Sequence, residues 1–259
     1  PLIDTPETEL PDLAPGNGHP GYLGGSSHSS QPRWIQRDLV LTPLPVAIAD
    51  TALSFNGRDE YLAAEQVQGL NLSEFTLEAW VKLDAAGQRH GLITQGDATT
   101  NVTHFQWWID ADNRLKLSSA TANDISSNVI AASTLTADRV HLSVVVGADE
   151  IQFFVNGESK GSRDAVAFTS AGSDLYLGRS FDEVTYLQGT MQEVRIWRGL
   201  RSQAQLVQNR DRQLSGAEAG LVGYWRLDSR DATDLPDDGL IRDLSFNRNH
   251  LHLGGLLAI

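Results

Sequence analysis

The chain has no cysteine, which removes a disulfide framework, a thiolate metal site and a cysteine nucleophile together. A large cysteine-free secreted domain is more usual in bacteria than in animals. Basic residues are also short, with 20 Lys and Arg against 33 Asp and Glu and a formal charge of −13. A phosphate backbone needs a cationic surface, so nucleic acid is excluded as a partner. No apolar run approaches the roughly 20 residues that a membrane-spanning helix requires, which excludes membrane insertion. G-x-S-x-G elbow, H-E-x-x-H pair and P-loop are all missing. The chain opens at Pro1 with neither an initiator Met nor a signal peptide, and so reads as a segment of a longer polypeptide.

What is present divides unevenly. Residues 1–50 hold nearly all the prolines and a Gly/Ser run from Gly24 to Ser30, with no sustained periodicity. They read as an extended tail or linker, anchored at most by Trp34 and Ile35. Residues 51–259 read as one domain, a length at which a chain can bury a sizeable core.

Within that domain, strand follows strand. Phe75, Leu77, Ala79 and Val81 alternate with polar neighbours across Thr76–Lys82. His104–Ile109 and Arg114–Leu117 flank Asp110-Ala-Asp-Asn113, a hairpin signal. Ile151–Val155 runs into Asn156-Gly157, which suits a type I′ turn. Leu175-Tyr-Leu177 and Glu193–Trp197 supply further strands. Such spacing predicts a β-sandwich or barrel rather than alternating βα units. One short helix is expected from about Gln203 to Arg210, opened by a Ser202-x-x-Gln205 capping box.

The two ends echo one another. Asp12 to His19, followed by Tyr22-Leu-Gly-Gly25, recurs 231 residues later as Asp243 to His250, followed by Leu251-His-Leu-Gly-Gly255. The echo reads as a tandem array, in which neighbouring repeats of the same polypeptide are partners.

Five ordered segments carry a family resemblance: Ala52–Leu62, Phe75–Lys82, Phe154–Gly157, Gly189–Trp197 and Gly223–Asp228. Together the set resembles the laminin G-like jelly-roll modules of the concanavalin A-like lectin/glucanase superfamily. That resemblance implies an all-β, two-sheet antiparallel sandwich with one short helix, displayed outside the cell or on its surface, in a bacterium. It also implies that the Tyr224-to-Asp228 block either completes this sandwich or opens the next. Many relatives hold a structural Ca2+, and the corresponding positions here are Asn56, Asp59 and Glu60, with Gln192 where the family often has Asp. Separately, Asp243, Ser245, Asn247 and Asn249 alternate oxygen side chains, as either an ion-wrapping loop or an Asx-rich turn satisfied by its own backbone.

Glycoside hydrolases share this superfamily and need two carboxylates across the scissile bond. No E-x-D-x-E strand exists to hold them, and Glu193 has Arg two residues on. His141, at the start of an apolar strand, reads as a hydrogen-bonded packing residue. The expectation is therefore a non-catalytic module. Phe75, Leu77, Ala79, Val81, Phe105, Trp107, Ile109, Ile151, Phe153 and Val155 form the expected core. The opposite set mixes rings with hydrogen-bonding groups, and Trp80, His104, Gln106, Trp108 and Arg114 are the candidate ligand-binding residues. The partner is a glycan or a cell-surface protein. A plain alternative is that long neighbours such as Lys82 and Lys116 merely shield those tryptophans. At the level of the whole chain, the alternative is a structural spacer in a large assembly.

Overall fold

Alternation of the kind seen in Phe75–Leu83 buries a strand face only if a second layer covers it. The computed structural model shows that layer to be another sheet. The structure describes residues 9–10, 21–22, 46–97, 102–120, 122, 125–168, 174–181, 185–228 and 240–254.

Seven strands form the first sheet. Their spatial order is Glu158–Asp164, Glu150–Val155, Val140–Val146, Phe75–Leu83, Gln188–Arg198 and Leu221–Trp225, with Leu53–Asn56 also paired to Gln188–Arg198. Eight strands form the second: Leu240–Ile241, Leu251–Gly254, Tyr61–Ala64, Asp174–Leu177, His90–Asp97, Val102–Ile109, Leu115–Ser119 and Ile125–Ser126. Neighbours run antiparallel throughout.

The expected core set is buried, but it comes from two facing walls rather than one. Phe75, Leu77, Ala79, Val81, Ile151, Phe153 and Val155 come from the first sheet and meet Phe105, Trp107 and Ile109 of the second. Each large side chain buried here contributes on the order of 1.5–3 kcal/mol.

Local chemistry explains the joints. Asn156 and Gly157 sit at φ +51° and +79°, the two positive angles of a type I′ turn. The expected helix spans Gln203–Arg210, and Ser202 and Gln205 form both bonds of the capping box. A second helix, Ala132–Thr136, gives no signal in the sequence: its five residues carry no side-chain cap and no acid in the first turn.

The terminal block completes this sandwich. Leu221–Trp225 adds to the first sheet, and Leu251–Gly254 pairs with Tyr61–Ala64 in the second. The Asp243 loop between them is an Asx-type clasp. Oδ1 of Asp243 accepts from the N–H groups of Tyr224 and Ser245, and Oδ2 accepts from Ser245 Oγ and Asn249 N–H. With both oxygens so engaged, the carboxylate is satisfied by its own neighbourhood.

The chain divides into two units, Pro1–Leu44 and Pro45–Ile259. In the first, Glu9–Leu10 pairs antiparallel with Gly21–Tyr22. That ladder begins at the residues 231 positions before Leu240–Ile241, which pair with Leu251 and His252. Both copies of the echoed segment thus close a short hairpin. Residues 46–50, grouped with the tail by composition, belong to the second unit, where Ala47 bridges Arg212 and Val46 accepts from Gln213 N–H. The Gly24–Ser30 run, Trp34, Ile35 and His19 lie outside the described residues.

Candidate functional site

Each sheet has an outward face, and the two are finished differently. On the first sheet, Glu78, His141, Arg195, Trp197 and Tyr224 all point away from the core and all are buried. The cover is the Gln203–Arg210 helix with the segment after it. Leu206 packs on Val145 and Phe154, and Tyr224 Oη accepts from Leu214 N–H. The last carbonyls of a helix have no partner within it. Here Arg195 Nη1 donates to the Asn209 carbonyl at 2.9 Å and Trp80 Nε1 to that of Arg210 at 2.8 Å. A guanidinium at that end also suits the helix dipole.

Beneath the helix the charges pair among themselves. His141 Nε2 lies 3.0 Å from Glu78 Oε2, and Arg195 Nη2 donates to Glu193 Oε2 at 2.6 Å. Trp197 Nε1 donates to Glu78 Oε1, and Tyr224 Oη to Glu193 Oε2. Burial alone would raise the Glu78 carboxyl, but His141, Arg195 and Trp197 outweigh it and hold the group below the usual range. For Glu193 burial wins over Arg195 and Tyr224, and its pKa is raised. A β-bulge between Gln192 and Arg195, with Glu193 at φ +51°, aims this carboxylate into the network.

The second sheet is covered instead by a hairpin, Arg179–Ser180 paired with Thr185–Tyr186, between which residues 182–184 lie outside the described residues. It crosses His90–Asp97 so closely that a Cβ on Gly91 would stand 2.5 Å from the Arg179–Ser180 backbone. Thr94 Oγ1 donates to the Arg179 carbonyl, and Phe181 N–H donates to Gln106 Oε1. Around it gather rings: Tyr61, Tyr176, Phe181 and Tyr186, with the Arg179 guanidinium 4.8 Å from the Tyr61 centroid and 5.9 Å from that of Tyr186. Tyr61, Arg179 and Tyr186 are half-buried, while Tyr176 and Phe181 are buried. Burial and Asp174 push the Tyr176 hydroxyl up to about 12, so it remains a neutral donor.

Beside Tyr186 lies a depression of about 260 Å³ lined by Gly57, Arg58, Gln88, Arg89, Thr185 and Gln188. Gln88 Nε2 donates to Gln188 Oε1, and Gln188 N–H donates to His90 Nδ1. His90 in turn donates from Nε2 to the Ala85 carbonyl, a pattern that needs the neutral ring. Burial lowers its pKa accordingly.

The five residues expected to bind ligand do not form one site. Gln106 and Trp108 share the second sheet's outward face, where Trp108 is 5% exposed beneath the Arg89 guanidinium at 4.6 Å, while Arg114 lies in the turn before Leu115–Ser119, its N–H donating to Asp110 Oδ1. Trp80 belongs to the other sheet and is tied under the helix. His104 sits at the bulge between Gln95 and Gly96, and its ring packs against Phe75, Phe105 and Phe168. Shielding of Trp108 does occur, with Arg89 as the neighbour on its face. Arg179 and the tyrosines went unread because the hairpin strands are two residues each. Only the alternation that turns Tyr176 outward pointed to them.

The four positions implied for Ca2+ fit an ion poorly. Asn56 Oδ1 accepts from the N–H groups of Arg58, Asp59 and Glu60, and its Nδ2 donates to Asp59. Gln192 pairs with Trp80 rather than with this loop, and its amide oxygen accepts from Arg139. A guanidinium on that oxygen opposes a cation at the same place.

Residues 56–207 match the model of the concanavalin A-like lectin/glucanases superfamily. The chain belongs to this family. No curated protein matches it. Among solved structures, a Bacteroides ovatus protein named as a candidate carbohydrate binder is 22% identical with a TM-score of 0.62, covering 83% of this chain. The concanavalin A-like chain spans 62% of that protein's length. A Ruminococcus gnavus sialidase CBM40 bound to α2,3-sialyllactose is 14% identical with a TM-score of 0.46, covering 61% of this chain and 98% of its own. A heptameric SAP-like pentraxin from Limulus polyphemus is 16% identical with a TM-score of 0.40, covering 58% and 81%. Likeness at these identities is likeness of fold.

Proposed function

We propose that this concanavalin A-like module binds a glycan outside the cell, on the outward face of its second sheet beside the Arg179–Tyr186 hairpin, and does not cleave it. The observation that carries this reading is the pairing of half-buried tyrosines with a depression lined by amides and guanidiniums. A pyranose presents a flat C–H face that packs on an aromatic ring, while its hydroxyls take hydrogen bonds from amide and guanidinium groups.

Two features support a non-catalytic role. Among the described residues the depression's lining holds no carboxylate, whereas glycoside hydrolysis needs a pair. Where two glutamates do come together, Glu78 at 0% and Glu193 at 2% exposure, the helix seals them from any substrate. The test is glycan-array screening followed by calorimetric titration of wild type and Tyr186→Ala. Binding lost in the variant with its melt unchanged supports the reading; equal binding sinks the site, and bond cleavage by the wild type sinks the non-catalytic role.

A second reading, a repeat that packs on its neighbours, is favoured by the hairpin formed at both echoed segments. It is also favoured by Phe246, 82% exposed on the rim of a depression of about 460 Å³ beside the Asp243 clasp. Sedimentation of a two-repeat chain with and without Phe246→Ser checks it: an unchanged shape in the variant removes Phe246 from any contact between repeats.

A further inference from the structure

Resting on the glycan-binding reading, we infer that the Gln88–Gln188 amide pair selects sugars with two adjacent free hydroxyls, one held by each glutamine. Gln88 Nε2 donates to Gln188 Oε1 at 2.9 Å, and neither side chain has a further hydrogen-bond partner among the described residues. A side-chain amide offers a carbonyl acceptor and two N–H donors. Their one mutual bond therefore leaves Gln88 Oε1 to accept and Gln188 Nε2 to donate, both on the lining of the depression. Turning both amides over exchanges the roles and leaves the same complement, one donor beside one acceptor.

The pair is fixed before any sugar arrives. Asp84 N–H donates to the Gln188 carbonyl at 3.1 Å, and Gln188 N–H donates to His90 Nδ1 at 3.3 Å. Gly57, at φ +73°, passes so close that a Cβ there would stand 2.7 Å from Gln188 Cβ, which walls in the stem of that side chain. The turn carrying Gln88 is tied at both ends. Gly87 N–H donates to Asn113 Oδ1, and the Ala85 carbonyl accepts from His90 Nε2, both at 2.9 Å. His90, 0% exposed, thus bonds to the segments of both glutamines. Polar groups set in advance lose little freedom on binding, which favours the ligand that matches them. A hydroxyl both donates and accepts, so one takes the Gln188 N–H while its neighbour on the ring donates to Gln88 Oε1. A sugar lacking either hydroxyl leaves an amide atom desolvated and unpaired. Tyr186, on the same lining, stacks the ring that bears the two.

The experiment places matched sugars on one array: methyl glycosides of cellobiose, xylobiose, mannobiose and galactobiose, each beside twins that lack one of two adjacent hydroxyls. Hits are then titrated against wild type, Gln88→Met and Gln188→Met, which keep the length of the side chain and remove its amide. At least one parent sugar is expected to bind about tenfold or more tightly than its deoxy twin. That margin should fall towards unity in both variants, with the melt unchanged for the exposed Gln88. Equal binding of parent and twin by the wild type overturns the diol inference and leaves the glycan reading standing. A margin that survives both substitutions overturns the assignment to this amide pair. No binding of any member overturns both the inference and the reading beneath it.

Discussion

The outward faces of the two sheets begin from the same rule and end as opposites. In each, alternation turns every second side chain away from the core. On the first sheet that set is charged and sealed; on the second it is aromatic and cationic and partly open. What separates them is the cover: an eight-residue helix with an apolar contact at Leu206 on one side, a hairpin of two-residue strands on the other. A buried ion network is held in place because removing one member strands the others, whereas a ring cluster at a surface tolerates loss.

The largest effect should come from breaking the sealed side. Arg195→Met leaves Glu78 and Glu193 without their shared cation and is expected to cost about 3–5 kcal/mol in urea melts. A smaller loss would mean that water reaches the network, and the contrast between the faces would fail. Next is Gly91→Val, which forces the Arg179–Tyr186 hairpin off the sheet; about 1–3 kcal/mol of stability should go, with glycan binding lost as well. Stability lost with binding intact would detach the hairpin from the site. Tyr186→Ala should change stability by less than about 0.5 kcal/mol while weakening glycan binding about tenfold, the reverse of Arg195→Met.

Acid–base behaviour sharpens the contrast further. Glu78 titrates below its unfolded value, so its contribution is present above the ordinary Glu pKa and disappears as pH falls through the depressed one. Glu193 titrates above its unfolded value, so its contribution is complete below the ordinary pKa and disappears as pH rises through the raised one. Urea melts across pH 3–8 should show Glu193→Gln removing the loss on the alkaline side of the carboxylate range. An identical profile in wild type and variant would contradict the burial of that carboxyl. Smallest of all, added Ca2+ should leave the melting midpoint unmoved, because Asn56 and Gln192 are engaged elsewhere; a rise would show an ion that reorganises both.

Much of the sandwich was legible in the sequence because period-two alternation, a Ser-x-x-Gln box and an Asn-Gly turn act locally. The candidate site was less so. Parity says that Trp80 and Trp108 both leave the core, but not that they leave it on opposite sheets. One extra residue at a bulge turned His104 inward against Phe75, and periodicity does not foresee a bulge. Arg179 and its tyrosines meet only through pairing distant in sequence. Likewise the Asp243 loop, read as either an ion loop or an Asx turn, is decided by bonds to Tyr224 and Asn249.

The closing hairpin also governs when this protein can fold. Leu251–Gly254 occupies an interior position of the second sheet, next to Tyr61–Ala64, so a strand made early waits for one made last. During synthesis, at about 5–20 residues per second, the edge at Tyr61–Ala64 stays unpaired for many seconds. Completion waits for the closing strand, so the sandwich cannot assemble before Leu251–Gly254 has been made, and its unfinished form exposes an unpaired edge of the kind that chaperones shield.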